Sequence, residues 1–295
     1  MKVFDVFLFG YELDLLEIRL NLLDPYVDYF VFSESRWAFS GMEKGLYYRD
    51  NKERFKKFED KIIYTEIPDP TESQLDEISK KYNIGGYPTY QRDVYQKNSI
   101  KTVLEEHCND DDIIIWSDLD EVPNPEVLEE LDSFYSPENV YNFAQDNYQA
   151  ALNWFETTGT ILSQTPDFEY GEEKPRWVGS KMFSFSTLKK YTLTDMRRPL
   201  PQENNMRVYP GGWHWSTVGS AHTGTMEDRI LMKIKTTAHK ELDTTNIAKT
   251  ISQKISEDKS PIGQENAAYT TLEFNEDNFP DYLIKNKEKY AYLIK

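Results

Sequence analysis

The chain has 295 residues, 39% hydrophobic and 14% aromatic, which is too apolar for disorder and long enough for a sizeable core. Its 34 basic and 51 acidic residues leave a formal net charge of −17, whose long-range field repels phosphate and argues against nucleic acid or anionic membrane as partners. A single cysteine, Cys108, excludes an intramolecular disulfide and a cysteine-built zinc site, and no apolar run reaches the roughly 18 residues of a membrane span.

Val3 to Phe9 is apolar and β-prone and predicts a buried first strand. It is too short for a secretory leader and is interrupted by Asp5, so a soluble, cytoplasmic protein is expected. Glu12 to Leu23 has helical period: Leu13, Leu16, Leu20 and Leu23 share a stripe, with Glu12, Glu17 and Arg19 off it. Asp24-Pro25 ends the helix, and Val27 to Ser33 predicts a second strand. Strand–helix–strand with short links implies a parallel sheet and a right-handed crossover. Asn51 to Asp60 predicts a charged helix and Lys61 to Ile67 a third strand. Pro68 to Pro88 reads as a loop around a short helix, and Tyr90 to Glu106 as a long one. Ile113 to Trp116 is a fully apolar strand, and Pro125 to Ser133 starts another helix. Beyond residue 140, Val140 to Ala144 and Trp177 to Phe185 are short aromatic-rich segments between polar loops. Helices are expected at Met226 to His239 and Asp281 to Lys295. With no repeat and no low-complexity linker, one α/β domain over 1–295 is expected, more irregular in its half 141–295 than in 1–140.

Asp118 and Asp120 follow directly on the apolar strand. Ligands of open parallel sheets bind at the carboxyl ends of strands, and alternation puts both carboxylates on one side of an extended chain. So placed they repel unless a cation lies between them, and a hard divalent ion held by few carboxylates and substrate phosphates suits them. A solvated acidic turn has the same sequence. Asp-x-Asp-x-Val after a strand also resembles the nucleophile motif of haloacid-dehalogenase-type phosphatases, with Asp118 attacking phosphorus, although that motif opens its domain and three strands precede it here.

The segment Glu12 to Gly41 resembles the opening of glycosyltransferase family 17. So do Arg54 to Ile63, Arg92-x-x-Tyr95-Gln96-Lys97-Asn98, Ser117 to Pro123, Gly211-Gly212-Trp213-His214, and Phe279-Pro280-x-Tyr282-Leu283 with Asn286-Lys287, in order along nearly the whole chain. The resemblance implies a GT-A-type nucleotide-sugar fold, a UDP-sugar donor (UDP-GlcNAc by default), a glycan or glycoconjugate acceptor, Mn²⁺ or Mg²⁺, and inversion at the anomeric carbon. A non-catalytic glycan-binding module is the alternative from another class.

On that reading Asp120 is the expected metal ligand, and Asp118 faces the ribose or a metal-bound water. His214 is a further metal or diphosphate ligand, or a histidine packed between Trp213 and Trp215, whose rings stack on a sugar or fill the core. Arg92 and Gln96 share a helix face, and a guanidinium at Arg92 suits a phosphate. Glu34, at the carboxyl end of the second strand, is placed to bind the base or ribose. The acceptor hydroxyl needs a general base, for which Glu121, Glu241 and Asp146 are candidates.

Overall fold

The computed structural model describes residues 1–85, 88–158, 176–198, 205–239, 245–262 and 267–295. The first half alternates strand and helix as the periodicity predicts. Strand β1 (Val3–Phe9), helix α1 (Leu13–Leu23) and strand β2 (Tyr29–Ser35) form the opening unit. The helix expected over 51–60 is instead a short α2 (Tyr47–Asp50) running into a 3₁₀ helix, Lys52–Phe58. Strand β3 (Ile62–Ile67), α3 (Glu72–Tyr82), α4 (Pro88–His107) and β4 (Ile113–Asp118) follow. These strands lie parallel in the order β3-β2-β1-β4.

The second half extends the same sheet rather than building another. After β5 (Glu121–Pro123), the helix expected over 125–133 breaks into α5 (Pro125–Glu129) and α6 (Leu131–Phe134). Strands β6 (Val140–Gln149), β7 (Trp154–Thr158) and β8 (Arg176–Ser184) come next, and β8 pairs antiparallel with both β4 and β6. After the single-turn helices α7 (Phe185–Leu188) and α8 (Leu193–Met196) come β9 (Asn205–Val208) and β10 (Gly212–Ser216). Both run parallel to β6, and β10 also pairs antiparallel with β5. Helices α9 (Met226–Thr236) and α10 (Thr245–Ser256), strand β11 (Ala268–Thr271) and α11 (Asp281–Lys285), which passes into a 3₁₀ helix, Lys287–Leu293, complete the described chain. The sheet is therefore mixed, where a mainly parallel one is expected, and the short strands β5, β7, β9, β10 and β11 are seen only in the structure. Strands of three to five residues owe their state to their neighbours, not to propensity.

Alternation along β1 sends Phe7 and Phe9 to one face, with Phe30, Phe32 and Leu16 and Leu20 of α1. Phe4 and Val6 go to the other, with Val31, Ile114, Trp116 and Ile100 and Leu104 of α4. Burial on both faces is what makes β1 and β4 read as continuous apolar runs. A third cluster packs Ile230 and Ile234 of α9 and Ile251 of α10 over Trp154 and Tyr269.

Candidate active site

Strands β1, β2 and β4 end level, with Leu8 opposite Asp118 and Phe9 opposite Glu34. At Asp118 the chain turns through Leu119 and Asp120 and returns as β5.

Two buried ion pairs fix this turn. Arg19, expected off the apolar stripe of α1, is fully buried. Its Nε and Nη2 grip Asp5 at 2.8 and 2.6 Å, and its Nη1 donates to the carbonyls of Asp118, Leu119 and Glu121 at 3.1, 3.1 and 2.8 Å. The charge at Asp5 inside a buried strand is the signal in the sequence, since such a charge demands a partner.

Glu121 forms the second pair. Its Oε1 accepts from Arg197 Nη2 and Trp177 Nε1, both at 2.7 Å, and its Oε2 from Arg197 Nη1 at 2.6 Å and the Asp118 amide at 2.7 Å. A general base needs an oxygen open to the acceptor, and a carboxylate this buried and this occupied offers none. Glu121 is a positioning residue, not the base expected from the sequence. Glu241 lies outside the described residues.

The Asp118 side chain keeps 37% of its surface exposed and faces Arg197 Nη2 at 3.1 Å and Lys97 Nζ at 3.8 Å. Burial of its surroundings favours the neutral acid, but Arg197 and then Lys97 overcome it and hold the carboxyl well below the ordinary range. Asp120 Oδ2 accepts from Lys233 Nζ at 3.2 Å. Burial works against that ammonium, yet Asp120, then Glu12, hold it above the usual lysine range. The two carboxylates, expected to need a cation between them, are thus each matched by cationic side chains of the protein. Arg197 and Lys233 are the residues that sequence reasoning misses, and Lys97, present there only as part of the helix motif, has no role assigned to it; three distant segments supply them.

His214 stands on β10 opposite Glu121, and the Trp215 amide ties β10 to the turn through the Asp120 carbonyl at 2.7 Å. The imidazole is 7% exposed and stacks on Trp177 with centroids 4.4 Å apart. Burial depresses its pKa against the pull of Asp120 and Glu121, which favours the neutral ring. Among the described residues its buried Nδ1 has no hydrogen-bond partner. Trp213 and Trp215 alternate away from it, stack on each other, and donate to the carbonyls of Asn278 and Leu152; Trp215 is fully buried and Trp213 half-buried against the core.

Among the described residues no three His, Cys, Asp or Glu side chains close around one point, so the site is not a preformed cage. The two carboxylates, with the His214 ring within their electrostatic reach, suit Mn²⁺ or Mg²⁺ carried in with a phosphate, because such an ion takes few protein ligands and fills its shell from substrate and water.

The remaining expected donor residues lie apart from the turn. Glu34 is fully buried, accepting from Tyr64 Oη at 3.0 Å and the Tyr48 amide at 3.3 Å, with Lys44 at 3.6 Å. Burial raises its pKa against Lys44, and its partners make it the anchor of α2, not a surface for a ribose. Gln96 donates to the Trp37 carbonyl at 2.9 Å, and Arg92 meets Asp69 at 3.5 Å and lies against Gly41. Both support the loop after β2. Lys97, from the same helix, is the residue that reaches Asp118.

The family model for glycosyltransferase family 17 matches residues 1–157, from β1 through the Asp118–Asp120 turn into β7. Gly211 to His214 and Phe279 to Lys287 lie beyond the matched residues. No curated protein matches. Among solved structures, apo mouse xyloside xylosyltransferase 1 is similar at 10% identity over 67% of this chain and 72% of that one, with a TM-score of 0.33. The inositol-1-phosphate CTP transferase from T. maritima is similar at 10% identity over 100% and 98%, with a TM-score of 0.32. At these scores both are loose likenesses.

Proposed function

The chain belongs to glycosyltransferase family 17, and on that premise we propose that it moves a sugar, GlcNAc by default, from a UDP-sugar to a hydroxyl of a glycan or glycoconjugate with inversion. The observation that carries this reading is the meeting of Asp118, Asp120 and His214 with Lys97, Arg197 and Lys233 at the carboxyl end of β4. Asp120 and Asp118, with His214 beside them, would hold Mn²⁺ or Mg²⁺, and the ion would supply positive charge to the departing diphosphate. The protein's own part is preorganisation. Arg197 and Lys97 keep Asp118 ionised, and Arg19 and Glu121 fix the turn so that the carboxylates need not reorganise. Stacking on Trp177 holds the imidazole of His214 in place. In the phosphatase alternative Asp118 would attack phosphorus, but that motif opens its domain, whereas here β1, β2 and β3 precede β4.

The test is UDP release from a panel of UDP-sugars, in Mn²⁺ and in EDTA, with Asp120→Asn as control. Mn²⁺-dependent release from UDP-GlcNAc, lost by about a hundredfold or more in the variant, supports the proposal. Absence of both UDP release and UDP binding in Mn²⁺ refutes it.

A further inference from the structure

Each carboxylate of the turn is already matched by a cation: Glu121 by Arg197, Asp118 by Arg197 and Lys97, and Asp120 by Lys233. A divalent ion entering beside Asp120 meets an ammonium on the same carboxylate, and two cations then compete for it. Arg197 is not free to leave, being bidentate to Glu121 and donating to the Gly179 carbonyl at 2.7 Å. Lys97 is held by Asp93 at 2.9 Å, one helical turn away. Lys233 is different. Among the described residues Asp120 is its single ion-pair partner, and its side chain is 33% exposed at the end of a flexible stem. Its base is firm: Ile230 and Ile234 are buried, and Thr225 and Asp228 cap α9. The ammonium can swing while the helix stays.

We propose that Lys233 is the resident counter-ion of Asp120, that a divalent ion displaces it, and that the displaced ammonium then pairs with the donor diphosphate. This rests on the nucleotide-sugar reading above. It gives Lys233 opposite effects on two ligands. It competes with the metal when no nucleotide is present, and it assists the nucleotide once the metal is bound.

The experiment titrates the full chain with Mn²⁺ alone, and then with UDP in saturating Mn²⁺, following Mn²⁺ by electron paramagnetic resonance and UDP by calorimetry. Lys233→Gln is expected to bind Mn²⁺ about tenfold more tightly than wild type and UDP about tenfold more weakly. Lys233→Arg keeps a counter-ion and is expected to bind Mn²⁺ as wild type does, which separates the charge from a general disturbance of α9. Mn²⁺ binding that is equal in wild type and Lys233→Gln, or undetectable in both, overturns the inference while UDP binding still upholds the donor reading. Wild type that binds UDP equally well in EDTA and in Mn²⁺ also overturns it. If UDP binds no variant under any condition, the donor reading falls and the inference with it.

Discussion

Arg197 donates two hydrogen bonds to Glu121, at 2.6 and 2.7 Å, and a third to Asp118 at 3.1 Å, so one guanidinium joins the buried support of the turn to its exposed carboxylate. The sequence offers Glu121 as a base because it stands beside the Asp-x-Asp. The pairing instead makes it the residue that orients Arg197. Glu121→Gln keeps the shape but takes from the buried guanidinium its bidentate counter-charge, leaving it the more exposed Asp118. A loss of about 3 kcal/mol in unfolding free energy is expected, measured by urea denaturation. A loss below about 0.5 kcal/mol would show that the pair is not a support.

Arg19 serves the same turn from the opposite face. Arg19→Lys retains the charge, but an ammonium cannot span Asp5 and three carbonyls at once. At least one buried carbonyl loses its donor, at about 1–3 kcal/mol each. Lower stability together with weaker UDP binding in Mn²⁺ is the expected outcome. Unaltered UDP affinity in a destabilised variant would confine Arg19 to folding.

The two glycines before Trp213 have a steric reason. Gly212 has φ +111°, and a Cβ there would lie 2.2 Å from the Val122 carbonyl oxygen, while one at Gly211 would lie 2.5 Å from the Ala144 amide. Bulk at either pushes β10, and His214 with it, away from β5 and β6. Gly212→Ala is expected to cost about 3 kcal/mol, read as a lower Tm in differential scanning calorimetry. An unchanged Tm refutes the close packing.

Lys181 is buried on β8, where it donates to the Arg198 carbonyl at 2.8 Å. Burial, and then Arg197, lower its pKa from 10.5 to about 7. Between those values the unfolded chain binds more protons than the folded one, so wild-type stability rises with pH across this window. Below about pH 7 the lysine is charged in both states, and the cost of burying that charge is constant. The stability of Lys181→Met relative to wild type is therefore expected to be greatest near pH 6 and to shrink steadily towards pH 10, by urea denaturation across the range. A difference independent of pH contradicts the lowered pKa.

What the sequence by itself determined was local or periodic. The apolar run Val3 to Phe9, the leucine stripe from Leu13 to Leu23 and the buried run Ile113 to Trp116 specify strand, helix and strand, because each pattern reports the face or faces an element buries. The position of Asp118 and Asp120 at the end of a buried strand was legible for the same reason. Which charges meet them was not. Lys97, Arg197 and Lys233 come from α4, the segment after α8, and α9, and their ordinary local sequences give no sign that they converge. Glu34 and Glu121 look like strand-end carboxylates available to a ligand, until packing covers them and fills their oxygens. Only the tertiary structure decided which carboxylates are supports and which face the open end of the sheet, because burial and long-range pairing belong to the assembled chain and leave no periodic trace in it.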